Sequence, residues 1–293
     1  MTGVLFLDKD TGMTSFSAVR AVSRLTGEKK AGHTGTLDPL ATGVLVVMLG
    51  RATGFARFMP EEYKTYKAGM RLGISTDTLD ITGTVTDTAD ASHTDPLQAA
   101  AVCASFAGES MQVPPMYSAI SKNGVKLYKL ARMGQEVQRE PRAVKIFSID
   151  LRGPFNGTDY ELNVTCTPGT YIRSLIDDIG NKLGCGACMT SLRRISSNGA
   201  DIGDCATLES LGSGDASSFV RPLESCLRFP CVTVTGPQSV RFSNGGGLDA
   251  SRLDNTYNSG LYKVRSPQGD FLGIGRMDQS LQTLFPEKIF VPQ

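Results

Sequence analysis

The stretch GHTGTLDPLATGVLVVMLGRATG, from Gly32 to Gly54, contains the pattern that decides the fold around it. Its apolar run over 44–49 predicts a buried strand, and the loop before that strand carries one carboxylate, Asp38. Pro39 disfavours helical backbone at Asp38. Asp38 is therefore either an Asx turn that leads into the strand or a reactive carboxylate in an apolar pocket, where desolvation raises the pKa. The pattern alone favours the turn.

Two further residues are candidates for the same pocket. Arg173 falls in the first turn of a helix predicted after Gly169, and beside Asp38 it would keep that carboxylate ionised. Alternatively, it forms a surface pair with Asp177 at i,i+4 spacing, which contributes little. Tyr66 lies on the apolar face of a strand predicted over 65–74, where it is either a core residue or a stacking surface for a planar ligand. Spacing does not separate these interpretations.

Composition indicates an ordinary globular protein. The chain has 293 residues, a formal net charge of +1 and 40% hydrophobic residues. Its seven cysteines are scattered, and the N-terminus shows no secretory pattern, so we expect a reduced, cytoplasmic protein. No apolar run is long enough to span a membrane, and we expect no membrane partner.

The sequence predicts neither a metal site nor a cofactor. Cys185 and Cys188 have metal-ligand spacing, but zinc requires four ligands and no second such pair exists. The favoured interpretation is that Cys185 and Cys188 are two small residues at a helix-to-loop junction; the alternative is a redox pair. Asp77, Asp80 and Asp87 lack the glycine and terminal glutamate of a calcium loop, so we expect turn and capping roles.

Charge is unevenly distributed along the chain. Residues 116–145 include seven Lys or Arg and two Glu, whereas residues 75–97 include five Asp and no Lys or Arg. The basic segment is either a phosphate-binding patch or a solvated helix face.

The pattern of apolar residues predicts several elements. A helix should begin at Thr14 or Ser15, end at Gly27 and bury an apolar face. That face is expected to comprise Phe16, Val19, Val22 and Leu25. After about Phe229 the chain changes to short strands separated by Gly, Asn and Asp, which predicts a small all-β unit.

Four segments, taken together and in order, resemble one family. They are GHTGTLDPLATGVLVVMLGRAT, KTYKAGMRLGISTDTLDITG, VPPMYSAISKNGVKLYKLAR and GTYIRSLIDDIGNKLGCGACMTSLRRI. They are similar to the TruB-type tRNA pseudouridine synthases, which modify uridine 55 in the tRNA T loop. The chain departs from the family pattern at Ser121, where a lysine is common, and at Cys188, where a histidine is common.

The resemblance implies a role for each matching residue. Asp38 would be the catalytic nucleophile, Tyr66 would stack on the target base, and Arg173 would pair with the nucleophile. In the substrate-binding set, Tyr171 and Leu192 would line the pocket and His33 would displace the T-loop base stack. Asp80 would occupy the acidic position of the second segment, and Lys122, Lys126 and Lys129 would contact RNA.

The resemblance also implies the fold and the reaction. We expect an α+β protein with a mixed, largely antiparallel central sheet flanked by helices and a small C-terminal PUA-like β domain. Residues 1–228 would form the catalytic domain, with an RNA-clasping insertion at about 108–145, and 229–293 the PUA-like domain. The expected partner is the T stem-loop of tRNA, bound by a monomer without metal or cofactor. Alternatives are a tRNA-binding or folding-assisting protein with lost or incidental catalysis, and a metal-dependent nuclease.

Overall fold

The computed structural model of the chain describes residues 1–60, 63–122 and 124–290. The α-helices are α1 (Ser15–Thr26), α2 (Pro96–Ala104), α3 (Leu127–Arg132), α4 (Ile172–Leu183), α5 (Leu208–Gly212) and α6 (Gly236–Ser243). The first nine strands are β1 (Gly3–Lys9), β2 (Ala31–His33), β3 (Thr42–Leu49), β4 (Lys64–Leu72), β5 (Ile74–Thr76), β6 (Val85–Thr88), β7 (Gly108–Gln112), β8 (Ser121–Lys122) and β9 (Val125–Lys126). The others are β10 (Arg142–Arg152), β11 (Asp159–Cys166), β12 (Ala187–Ser197), β13 (Ala200–Asp201), β14 (Cys231–Thr233), β15 (Leu248–Asp249), β16 (Gly260–Arg265), β17 (Phe271–Asp278) and β18 (Thr283–Ile289).

The large sheet has the order β1-β3-β12-β4-β11-β10-β7, with β2 and β13 paired at its side. Its pairs are antiparallel except β3 with β12, which run parallel. Gly43 makes this parallel contact possible, because a Cβ there would lie 2.2 Å from the carbonyl oxygen of Arg194 and its φ is +100°. The predicted α+β class with a mixed, largely antiparallel sheet is confirmed.

Helix α1 has the predicted ends but a different buried face. The Thr14 side chain accepts a hydrogen bond from the Ser17 amide, and Gly27 closes the helix in the left-handed conformation. The helix buries Ser15, Ala18, Val19 and Val22. Phe16 and Leu25 are instead exposed, by 69% and 41%, so their predicted place in the core was wrong. The buried face of α1 is rotated relative to the predicted one because the Ser15 side chain faces inward. There its hydroxyl hydrogen-bonds to Leu37 in the loop that carries Asp38.

The segment predicted as an insertion at about 108–145 begins and ends inside the large sheet. Strand β7 pairs with the first residues of β10, and both belong to that sheet. Between them, residues 113–141 leave the sheet and form the β8–β9 hairpin and α3. Position 123 lies outside the described residues.

The C-terminal unit is a second sheet with the order β14-β16-β17-β18-β15. It has its own core around Val232, Phe242 and Val264. Ile274 of β17, however, packs into a core that also contains Phe6 and Phe55 from the first part of the chain. The two sheets therefore share buried apolar surface, and removing residues after 229 would expose part of the first unit.

Candidate active site

The loop between β2 and β3 places Asp38 in the lining of a cavity. Ser15 of α1 fixes this loop, since its hydroxyl donates to the Leu37 carbonyl at 3.0 Å and accepts from the Leu37 amide at 2.8 Å. The Asp38 carbonyl accepts from the Ala41 amide at 3.0 Å, which closes a turn around Pro39. Asp38 is thus held by a turn and also faces the cavity, so the two interpretations of its sequence context are compatible.

Arg173 lies at the start of α4 and is buried against Asp38. Its Nε is 2.9 Å from Asp38 Oδ2, and only 4% of the side chain is exposed. Nη1 donates to the Thr78 carbonyl at 3.0 Å and Nη2 to the Tyr117 carbonyl at 2.8 Å. One guanidinium therefore joins three segments that are far apart in sequence. Asp177 instead accepts a hydrogen bond from Asn181, so the structure does not show the surface pair with Arg173.

Tyr66 and Asp38 line the same cavity, whose volume is about 320 Å³. This is at the lower end of the range for small-molecule sites. The Tyr66 side chain is buried on β4, opposite Arg194 of β12 and Val164 of β11. The described residues that line the cavity are Gly35, Thr36, Leu37, Asp38, Lys64, Tyr66, Ser118, Ala119, Ile120, Gly169, Thr170, Tyr171, Ile172, Arg173, Leu192 and Arg194.

The electrostatics of Asp38 are a balance of opposing effects. Burial raises the pKa of the Asp38 carboxyl above its ordinary value, the Arg173 charge opposes that rise, and the nearby Asp80 adds to it. About a third of the side chain still faces the cavity. Among the described residues that line the cavity, Asp38 is the one carboxylate; it is recessed but reachable, and the Arg173 charge favours its ionised form.

Tyr171 and Leu192, which the family resemblance assigns to the pocket, also line this cavity. Gln112 fixes the turn at Tyr171, because its amide oxygen accepts from the Tyr171 amide at 2.8 Å and its Nε2 donates to the Tyr171 carbonyl at 3.0 Å. Asp80 is buried but does not line the cavity. Its Oδ1 accepts from the Thr78 hydroxyl and the Thr82 amide, which folds the loop that Arg173 holds.

His33 lies on β2, outside the cavity. Its ring nitrogen Nδ1 is enclosed and has no hydrogen-bond partner among the described residues. Burial, aided by the Arg194 charge, lowers the pKa of His33 below its ordinary value. Both effects favour the neutral imidazole.

Lys122, Lys126 and Lys129 lie in the 113–141 segment and are not among the described residues that line the cavity. The Lys122 amine donates to the Gln138 carbonyl at 2.6 Å and the Lys126 amine to the Ala119 carbonyl at 2.8 Å. Both amines therefore help to fold this segment. Lys129 is exposed on α3.

Arg194 is the main residue of the site that sequence reasoning missed. It is 1% exposed, and its Nε donates to the Val44 carbonyl at 2.7 Å while Nη2 donates to the Gly35 carbonyl at 3.0 Å. It therefore ties the Asp38 loop and β3 to β12. The sequence signal that could have found Arg194 is the alternation of side chains along a strand, which places Arg194 on the same face of β12 as Leu192. Lys64, Ser118 and the buried Lys9, whose pKa burial lowers to about 8, were missed too.

We expect Arg194→Lys to impair both stability and turnover. An ammonium cannot reach the Val44 and Gly35 carbonyls together, and each lost charged hydrogen bond costs roughly 1.5–3 kcal/mol. The free energy of unfolding should fall by about 2 kcal/mol or more, as measured in urea. Arg193→Lys is the matched control, because Arg193 is 40% exposed and pairs with Asp8. That control should cost under about 1 kcal/mol. Equal losses in the two variants would show that Arg194 has no special role.

The described residues contain no group of three or more His, Cys, Asp or Glu arranged to hold a metal ion. Cys185 is half-buried and Cys188 is buried, and both thiols are free. In the part of the chain that the structure describes, no helix has the length and apolarity needed to cross a membrane.

Comparison with solved structures identifies the same architecture elsewhere. The structure described as "Crystal Structure of a Cbf5-Nop10-Gar1 Complex" matches with a TM-score of 0.74 and 26% identity, over 99% of this chain and 85% of that chain. "Crystal structure of the archaeal box H/ACA sRNP Nop10-Cbf5 complex" matches with a TM-score of 0.71 and 26% identity, over 99% and 86%. The predicted fold, a pseudouridine synthase sheet followed by a small C-terminal β unit, is confirmed.

Sequence comparison gives the class and then the family. The model for "TruB family pseudouridylate synthase (N terminal domain)" matches residues 23–172, and that for "tRNA pseudouridylate synthase B C-terminal domain" matches 173–228. The "tRNA pseudouridine synthase B" of Clostridium kluyveri is 42% identical over 280 residues, 94% of this chain and 95% of the relative. That of Syntrophotalea carbinolica is 50% identical over 247 residues, 82% and 79%. Matches of this extent define a pseudouridine-forming isomerase. The chain belongs to the TruB family of pseudouridylate synthases.

Proposed function

We propose that this enzyme converts uridine to pseudouridine at position 55 in the T loop of tRNA, with Asp38 as the nucleophile. The observation that carries the proposal is the Asp38–Arg173 pair, 2.9 Å apart, in a cavity of about 320 Å³ that Tyr66 also lines. The relatives named as tRNA pseudouridine synthases support tRNA as the substrate.

The geometry supports each step that the isomerisation needs. The N1–C1′ bond breaks, the ring turns and C5 bonds to C1′, while the C5 proton leaves and N1 gains a proton. A base cannot turn within a stack, so it must be flipped into a pocket. Tyr66 offers a planar surface that allows rotation, and Arg173 favours the ionised form of Asp38 despite burial. Tyr171 and Leu192, which line the cavity, would enclose the ring, and His33 on β2 would displace the T-loop stack.

We further propose how the rest of the chain serves this reaction. Asp38, Tyr66 and Arg173 come from one chain and line one cavity, which supports action as a monomer. Residues 1–228 would form the catalytic domain, and the sheet within 229–293 would contact tRNA outside the T loop. The 113–141 segment would clasp the stem-loop, with Lys129 on phosphate and with Lys122 and Lys126 keeping the segment folded.

Tritium release from tRNA labelled at C5 of uridine tests the reaction, because the isomerisation expels that hydrogen. We expect release of one tritium per tRNA from wild-type protein, and none from a tRNA in which uridine 55 is replaced by cytidine. Undiminished release from the substituted tRNA would contradict the proposed position. Tight binding without release would support the folding-assisting alternative, and shortened RNA would indicate a nuclease.

The pH dependence of turnover should report on Asp38. Its raised pKa means that the carboxylate is lost at a higher pH than an ordinary aspartate, so kcat should fall as pH decreases through that raised pKa. Arg173→Gln removes the charge that lowers this pKa, and should therefore move the acid limb to higher pH. Single-turnover rates across pH, with folding checked by circular dichroism, measure the shift. An acid limb at the same pH in both proteins would mean that Asp38 ionisation is not what the profile reports.

A further inference from the structure

Gln112 is a buried polar side chain at the edge of the large sheet. It is the last residue of β7, the strand at the end of the sheet beyond β10. Residues 109–111 of the same strand are exposed, whereas Gln112 is only 6% exposed. Glutamine is seldom buried to this degree unless hydrogen bonds satisfy its amide. The burial of Gln112 therefore depends on specific partners.

The partner of Gln112 is the backbone at Tyr171, which is the N-cap residue of α4. The Tyr171 amide donates to Gln112 Oε1 at 2.8 Å, and Gln112 Nε2 donates to the Tyr171 carbonyl at 3.0 Å. A capping box would satisfy the N-cap amide with the third side chain of the same helix. In α4 that side chain is Ser174, which instead donates to the Val113 carbonyl at 3.2 Å. Gln112 thus supplies from β7 a bond that the helix does not supply itself.

The same turn of α4 carries the cation that binds Asp38. Arg173 lies two residues after Tyr171, and its Nε is 2.9 Å from Asp38 Oδ2. Arg173 Nη2 also donates to the Tyr117 carbonyl at 2.8 Å. The end of β7 and the residues that follow it therefore bind the start of α4 at several points. A shift of the Tyr171 backbone would move the guanidinium relative to the Asp38 carboxylate.

We propose that Gln112 is a positioning residue of the reaction, which acts through the start of α4 to hold Arg173 against Asp38. The inference rests on the proposed function, in which Asp38 is the nucleophile. Gln112 is not among the described residues that line the cavity, so it would act without touching the base. The rival interpretation is that its two hydrogen bonds contribute only to stability. Both interpretations predict a less stable variant, but only positioning predicts slower chemistry in folded protein.

Gln112→Met tests the proposal, because methionine keeps the length of the side chain and removes both the donor and the acceptor. In folded protein, kcat for tritium release should fall by roughly tenfold, part of the loss of about 10²-fold that one ångström of misplacement causes. KM for tRNA should stay close to that of wild type. Gln112→Asn keeps an amide that is one carbon shorter, so its kcat should lie between the two. This second variant keeps the test valid if Gln112→Met fails to fold.

Gln238→Met is the matched control, because Gln238 also joins two backbone segments through its amide. Its Oε1 accepts from the Thr235 amide at 2.8 Å, and its Nε2 donates to the Arg252 carbonyl at 3.1 Å. These bonds belong to α6 in the C-terminal unit. The control should lower the unfolding midpoint and leave kcat unchanged. Equal losses of kcat in Gln238→Met and Gln112→Met would overturn the proposal.

A double-mutant cycle with Arg173→Lys tests whether Gln112 acts through Arg173. If it does, adding Gln112→Met to Arg173→Lys should lower kcat by less than about twofold, since residues that act as a unit are not additive. Additive losses, or a raised KM with unchanged kcat in Gln112→Met, would overturn the proposal. These outcomes leave the proposed function untouched, whereas tritium release from Asp38→Asn at the wild-type rate would refute that function.

Discussion

Replacing Asp38 by Asn is expected to reduce turnover by roughly 10⁴-fold or more, a loss typical of removing a nucleophile. Asn keeps the size and most of the hydrogen-bonding reach of Asp, but its amide cannot act as a nucleophile at neutral pH. The Arg173 guanidinium would still donate hydrogen bonds to the Thr78 and Tyr117 carbonyls, so the segments that carry these two residues should keep their positions. tRNA affinity should therefore remain close to that of wild type, and tritium release under single-turnover conditions is the measurement.

The matched control for this variant is Asp10→Asn, an exposed carboxylate near the same loop that does not line the cavity. It should release tritium at the wild-type rate. Substantial release from pure Asp38→Asn protein would refute the assignment of Asp38. A loss of tRNA binding equal to the loss of turnover would mean that Asp38 acts in binding and not in chemistry.

Arg173→Lys is expected to lower turnover by roughly 10²-fold or more, the effect of misplacing a reacting group by about an ångström. The guanidinium reaches Asp38, the Thr78 carbonyl and the Tyr117 carbonyl at the same time. An ammonium is a point charge and cannot bind all three with good geometry. Single-turnover tritium release at several pH values, with the unfolding midpoint measured alongside, separates loss of catalysis from loss of folding.

Asp177→Asn tests the rival interpretation, in which Arg173 makes only a surface pair on its own helix. Because Asp177 accepts a hydrogen bond from Asn181 and does not line the cavity, this variant should turn over like wild type. Near-wild-type activity of Arg173→Lys would contradict the role drawn from the buried pair. So would a loss in Asp177→Asn as large as that in Arg173→Lys.

Local sequence predicted the elements well where one physical rule dominates. Thr14 as N-cap and Gly27 as C-cap bounded α1, because capping depends on a few adjacent residues. Alternation on β4 placed Tyr66 on the buried face. The short-strand pattern after Phe229 predicted the second sheet. Family resemblance, rather than periodicity, supplied the roles of Asp38 and Arg173, which remain predictions.

The tertiary structure decided which of these residues meet. Asp38 and Arg173 are far apart in sequence, and no local pattern separates a buried pair from the i,i+4 pair with Asp177. The sequence gives no sign that the charged Arg194 is buried. It is buried because backbone carbonyls of β3 and of the Asp38 loop accept hydrogen bonds from its guanidinium. Phe16 is exposed because Ser15 faces inward to bind Leu37. Sequence determined the elements and the candidate carboxylate, whereas long-range hydrogen bonding and packing determined the site, since those contacts exist only after the elements have assembled.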